Sequence, residues 1–149
     1  NLALLGGNTS NYMQNRENKT MKTFMMALVA TVSLGVGAAS ADPALGTWKT
    51  AVDDGLYAHI KMSKCGPNVC GVIARSFKGD EEFVSANNGK TLVIDMAPNG
   101  SGNYAGKVWR PSNDKIYVGK MTVSGNSLKL SGCVAGGLIC SKQTWTRLN

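Results

Sequence analysis

The chain has 149 residues, room for one domain of ordinary size. Sixteen Lys and Arg against nine Asp and Glu give a net charge of +7, with only one histidine. A single histidine excludes a metal centre built on several imidazoles and leaves one candidate base for an activated nucleophile.

Residues 1–20 open on Asn1, are rich in Asn and show no apolar period. They read as an upstream, non-native extension with no fold of its own. Met21-Lys22-Thr23 follows, then an apolar run from Phe24 to Ala39, then Ala39-Ser40-Ala41 before Asp42. A positive start, an apolar middle and small residues before the cut mark residues 21–41 as a secretory signal peptide cleaved after Ala41. A spanning helix would need about 20 apolar residues. This run has 16, weakened by Ser and Gly. Residues 42–149 are then an exported domain with no membrane span after cleavage. They carry thirteen basic and eight acidic side chains, a net +5. A domain this small buries only about two thirds of its unfolded surface, so crosslinks would help it.

The rest of the chain reads as strands and turns. Gly46-Thr47-Trp48 opens it, the glycine letting the backbone pass close to a bulky indole. Leu56, Ala58, Ile60 and Met62 alternate with Tyr57, His59 and Lys61, a period of two. Cys65 to Cys70 turns through Gly66-Pro67-Asn68, and Val69 to Ala74 returns. Arg75 to Lys90 is polar and irregular, the longest loop. Thr91 to Met96 is a short strand broken by Pro98-Asn99-Gly100. Asn103 to Arg110 and Lys115 to Val123 form a hairpin about Pro111-Ser112-Asn113-Asp114, where the proline presets the turn. Ser124-Gly125-Asn126 turns the chain into Leu128 to Val134. After Gly136-Gly137, the last strand runs from Gln143 to Leu148. Eight strands joined by short turns predict an all-β, antiparallel up-and-down barrel, because closure removes exposed edges. An open β-sandwich is the competing arrangement. In the barrel, Trp145-Thr146-Arg147 meets the opening strand.

All four cysteines lie after residue 42: Cys65, Cys70, Cys133 and Cys140. An even count in a small exported domain reads as two disulfides. Gaps of four and six residues do not suit paired zinc ligands. Four cysteines allow three pairings. The hairpin reading selects Cys65–Cys70 and Cys133–Cys140, since each pair flanks one turn.

Cys65-Gly66-Pro67-Asn68-Val69-Cys70-Gly71-Val72-Ile73 resembles a hairpin signature of the bacterial exported family known as domain of unknown function 2147. Gly106-Lys107-Val108-Trp109-Arg110-Pro111 with Lys115-Ile116-Tyr117 resembles its central hairpin. Gly132-Cys133-Val134 with Cys140 to Arg147 resembles its C-terminal signature, and Gly46-Thr47-Trp48 its opening. At the central turn Asn113-Asp114 stands where that family usually has a glycine. The resemblance covers nearly all of 43–148 and implies a lipocalin-like barrel in the bacterial periplasm, with no established reaction. In lipocalins an arginine from the chain end covers the opening tryptophan, which implies a closure contact between Trp48 and Arg147.

No catalytic constellation is legible. His59 sits mid-strand, and the nearby Asp53-Asp54 before Gly55 are turn formers. Asp80-Glu81-Glu82 reads as a solvated face. Gly100-Ser101-Gly102 lacks the helix and Lys of a phosphate loop. No metal or other cofactor is expected, and scattered lysines without interleaved aromatics do not suggest nucleic acid. An anionic envelope component is the more physical partner for the charge. Two functions follow. A barrel lined by Ile60, Met62, Ile73, Leu92, Ile94, Leu128 and Leu130 would bind a small apolar or amphipathic molecule. The alternative is a structural or interaction module with a filled core and a working basic surface. Open volume inside the barrel separates them.

Overall fold

The computed structural model describes residues 40–149, which form one compact unit. The extension expected at 1–20 and all but the last two residues of the signal peptide expected at 21–41 lie outside the described residues.

The described residues form nine strands: β1 Gly46–Lys49, β2 Leu56–Cys65, β3 Asn68–Lys78, β4 Glu81–Phe83, β5 Thr91–Gly100, β6 Asn103–Arg110, β7 Lys115–Ser124, β8 Ser127–Val134 and β9 Ile139–Arg147. All but β4 form a closed antiparallel ring in chain order, β3 passing directly to β5 and β9 returning to β1. β1 is only four residues long, yet it closes the ring. Trp48 stands opposite Ile60 on one side and Arg147 on the other. The expected eight-stranded up-and-down barrel is the observed one, and closure excludes the sandwich.

Three boundaries differ from expectation. The polar stretch 75–90 is partly strand: β3 continues to Lys78, and the two-residue turn Gly79-Asp80 returns β4 along it. Gly79 at φ 59° supplies the left-handed residue such a turn needs. β5 runs on through Pro98 to Gly100 because the pairing with β6 is irregular there, with Asp95 at φ 47°. An irregular ladder tolerates a residue without an N–H. β9 starts at Ile139, since Cys140 pairs directly with Cys133 across the hairpin. The disulfides Cys65–Cys70 and Cys133–Cys140 are both formed, with Cα atoms 5.7 and 4.1 Å apart.

Strand direction sorts the turns to two ends. Residues 65–68, 100–103 and 124–127 lie at one end; 50–55, 79–90, 111–114 and 135–138 lie at the other. The first end is closed. Trp48 is fully buried there, its indole N–H donating to the Ala44 carbonyl at 2.9 Å. The Arg147 guanidinium lies 4.2 Å from the ring centroid and donates to the Leu45 and Pro43 carbonyls. A planar, weakly hydrated cation can cover an aromatic face while keeping its donors satisfied. Gly46 is obligatory here: at φ 118°, a Cβ would stand 2.3 Å from the Asn149 carbonyl oxygen. Ile60, Met62, Met96, Met121 and Leu128 fill the floor above.

Candidate ligand cavity

The barrel is full at its closed end and empty at the other. A cavity of about 660 Å3 opens between the turns of the second end. The sequence makes this difference locally. Inward positions near the floor carry Trp, Met, Ile and Leu. Higher up, Ala58, Ser76, Gly132 and Ser141 line the space, and Gly132 faces Ser141 across the β8–β9 ladder. Small side chains at facing positions leave volume that no neighbour fills. At Gly71 the opposite holds: a Cβ would lie 2.5 Å from the Met62 sulfur, so the floor is packed to the backbone.

The lining is mainly apolar and aromatic. Phe77, Phe83, Trp109, Tyr117 and Trp145 contribute rings, with Ile73, Leu92, Val108 and Leu130 between them. A few polar groups converge on it. Trp145 donates its indole N–H to Gln143 Oε1 at 3.0 Å. The Ser76 hydroxyl donates to Asn88 Oδ1 at 2.6 Å, pinning the loop that follows β4. Trp109 Nε1–H donates to Asp114 at 2.8 Å. Arg110 and Asp53 are the charged residues of the wall.

Of the seven residues expected to line the interior, Ile73, Leu92 and Leu130 do. Ile60, Met62 and Leu128 do not: they face inward but lie in the packed floor. Alternation identifies the inward face of a strand and says nothing about height along the barrel. Ile94 belongs to neither set. It is half-buried beside the irregularity at Asp95, while Val93 takes the inward position opposite Val108. The lining rings at 77, 83, 109, 117 and 145 were not anticipated. The period-two pattern of Ile139, Ser141, Gln143 and Trp145 on β9 is the signal that would have found one of them.

His59 is on the outer wall, off the cavity lining, with its ring 4.4 Å from Phe77. Burial lowers its pKa, and the charges of Arg75 and Lys49 lower it further against the opposing pull of Glu82. Among the described residues no carboxylate hydrogen-bonds to it. Cys65, Cys70 and Asp95 bring three potential metal-ligand atoms within 4.8 Å of one another, but both sulfurs are committed to the disulfide. Asp80 and Glu81 are exposed, and Glu82 pairs with Arg75 on the outer wall.

An antiparallel ring of eight strands, floored by a tryptophan under a C-terminal arginine and open at the far end, is a lipocalin-like barrel. The fold agrees with a solved structure described as "Protein HP1028 from the human pathogen Helicobacter pylori belongs to the lipocalin family". The two share 15% identity at a TM-score of 0.53, over 70% of this chain and 82% of that one. No curated protein matches the sequence. The chain belongs to the bacterial family described as "Uncharacterized protein conserved in bacteria", domain of unknown function 2147, whose pattern matches residues 46–147.

Proposed function

We propose that this is an exported envelope protein that holds one small apolar or amphipathic molecule in its barrel and catalyses no reaction. The cavity carries the reading. Its volume falls within the range of small-molecule sites, about 300–1,000 Å3, and it has their character, an apolar wall with a few convergent polar groups. A module with a filled core would need the packed interior that only the floor has. Export is supported by the apolar run before Asp42 and by two disulfides, which persist in oxidising compartments. Binding rather than catalysis is supported by the position of His59, which leaves the cavity wall without a histidine base.

The test is substitution of Gly132. Its Cβ would sit 3.6 Å from the Tyr117 Cβ, ordinary contact, so a larger side chain enters the cavity without straining the strand. Gly132→Leu should weaken binding of anilinonaphthalene sulfonate, followed by quenching of Trp109 and Trp145, by about tenfold or more, because it occupies the probe's space. Native mass spectrometry of protein taken from its host should show a co-purifying mass that the variant lacks. A bare barrel from the host, together with no probe binding by the unsubstituted protein, would overturn the proposal.

A further inference from the structure

Charge is divided unevenly around this barrel. Residues 42–95 carry six basic and seven acidic side chains; residues 96–149 carry seven basic and one acidic. The fold turns that division in sequence into a division in space, since β1 to β5 form one side of the ring and β6 to β9 the other.

On the outer face of β6 to β9 the ladders set Lys107 in the row of Val118, Cys133 and Cys140. The next outer row holds Lys120, Ser131 and Lys142, and the one after holds Thr122, Lys129 and Thr144. Lys120 and Lys142 are two strands apart, about 10 Å. Among the described residues no carboxylate lies within ion-pairing distance of these four lysines. The two ion pairs among the described residues, Lys64–Asp42 and Arg75–Glu82, belong to the other side. The single acid of this half, Asp114, accepts the Trp109 N–H at the β6–β7 turn, between Arg110 and Lys115.

Above the lysine rows the same wall ends in exposed apolar side chains at the open rim. Leu138 is 87% and Ile139 66% exposed, and Ile116 stands out from β7, with Val118 exposed below it in the row of Lys107. Ile116 is four residues from Lys120, about 13 Å along the strand. An apolar edge that enters a lipid interface reaches about 5–10 Å past the headgroups, which sets the rows of Lys107 and of Lys120 and Lys142 at headgroup level when the edge is in. A polyanion in solution would pair with the lysines and leave the apolar edge bare, and the lysine rows offer no aromatic ring on which a base could stack.

We propose that the open end of the barrel docks, by its β6–β9 side, onto a lipid surface bearing anionic headgroups. Leu138, Ile139 and Ile116 enter the interface, and Lys107, Lys120 and Lys142 contact the phosphates. The acidic loops at Asp53-Asp54 and Asp80-Glu81 tilt away from the surface. The docking stands whether or not the cavity holds a ligand; if it does, the mouth faces the lipid.

Sedimentation of the barrel unit, residues 40–149, with vesicles tests this. The protein should sediment with phosphatidylcholine vesicles containing phosphatidylglycerol and stay in solution with phosphatidylcholine alone. Lys120→Gln with Lys142→Gln should weaken partitioning about thirty-fold, as two lysines at a charged surface do. Lys61→Gln with Lys78→Gln, equal in charge but on the other side, should change it less than about twofold, by the same short range of the surface field. Leu138→Ser with Ile116→Ser should cost about tenfold or more through lost apolar burial. The proposal is overturned by equal binding to both vesicles or by equal loss from the two lysine pairs. It is also overturned if the serine pair has no effect while heparin or duplex DNA binds with the same lysine dependence, which marks a soluble polyanion as the partner.

Discussion

The floor and the mouth of this barrel are built from the same eight strands and obey different rules. In the floor every inward position is filled, down to the bare glycine at 71 beneath Met62. In the mouth, small side chains such as Ala58, Ser76, Gly132 and Ser141 interrupt a mainly apolar wall, and the large rings stand around a space. A closed ring gives all strands the same pleat, so the pleat cannot tell one end from the other. Side-chain volume along each strand makes the difference, and stability and binding should therefore respond to different residues.

The sharpest way to break this comparison is to cut into each region in turn. Trp48→Ala removes a fully buried indole, the ring under Arg147 and the bond to Ala44. It should cost about 3–5 kcal/mol, seen as a lower denaturant midpoint. Gly132→Leu, which fills part of the cavity, should leave stability within about 0.5 kcal/mol, as substitutions outside a packed core do. If both changes destabilise alike, the mouth is as tightly packed as the floor and the division fails.

The disulfides sharpen it next, one at each end. Cys65–Cys70 closes the β2–β3 turn at the floor, and Cys133–Cys140 closes the β8–β9 hairpin at the mouth. Replacing either pair by serine should cost about 2 to 2.5 kcal/mol, since loops of such similar length lose similar chain entropy. Probe affinity should separate them. Loss of Cys133–Cys140 frees the hairpin that carries Val134 and Ile139 into the wall, while loss of Cys65–Cys70 leaves the wall untouched. Equal effects on affinity would mean that the wall does not depend on its own hairpin.

What could be read from the sequence follows the same division. The eight strands of the ring, closure by the opening tryptophan and the chain-end arginine, and both disulfides rest on local turns and on one long-range contact, and these are legible. The site was half legible. Ile73, Leu92 and Leu130 line the cavity, while Ile60, Met62 and Leu128 share their periodicity and sit lower. Height depends on stagger between strands, which is set by pairing around the whole ring and leaves no mark in any single strand. β4 was missed because its three residues, Glu-Glu-Phe, carry no apolar alternation. Only the Gly79-Asp80 turn announces it.

A milder cut at the floor is Arg147→Lys. Charge survives, while the planar stack on Trp48 and the fork onto the Leu45 and Pro43 carbonyls are lost. About 1 kcal/mol is the expected loss, near the value of a cation over an aromatic face that is mostly dry. A loss as large as that of Trp48→Ala would mean that the arginine, and not the indole, holds the ring shut.

The smallest expected effect concerns acid. At the floor, burial alone would raise the pKa of Asp42, but bonds from Lys64, the Tyr104 hydroxyl and the Ala44 N–H outweigh it and hold the carboxylate below its ordinary value of 3.8. At the mouth side, the hydrogen bond and charge of Arg75 lower Glu82 in the same sense. A depressed folded pKa means that the stabilisation is present above the ordinary carboxylate range and is lost as pH falls through the folded value. The two groups differ in setting. Asp42 has only 10% of its side chain exposed and joins β2, β6 and the N-terminal segment, whereas the Arg75–Glu82 pair stands in solvent, where ion pairs contribute little. Asp42→Asn should therefore lower stability at neutral pH, and the gap to the unsubstituted protein should close as the pH drops below about 4, where that protein's own carboxylate is lost. Glu82→Gln should leave the acid limb of the stability curve nearly unchanged. Denaturant midpoints measured from neutral pH down to the onset of acid unfolding decide it. A flat difference for Asp42→Asn, or a steeper one for Glu82→Gln, would mean that the floor is not where this barrel feels acid.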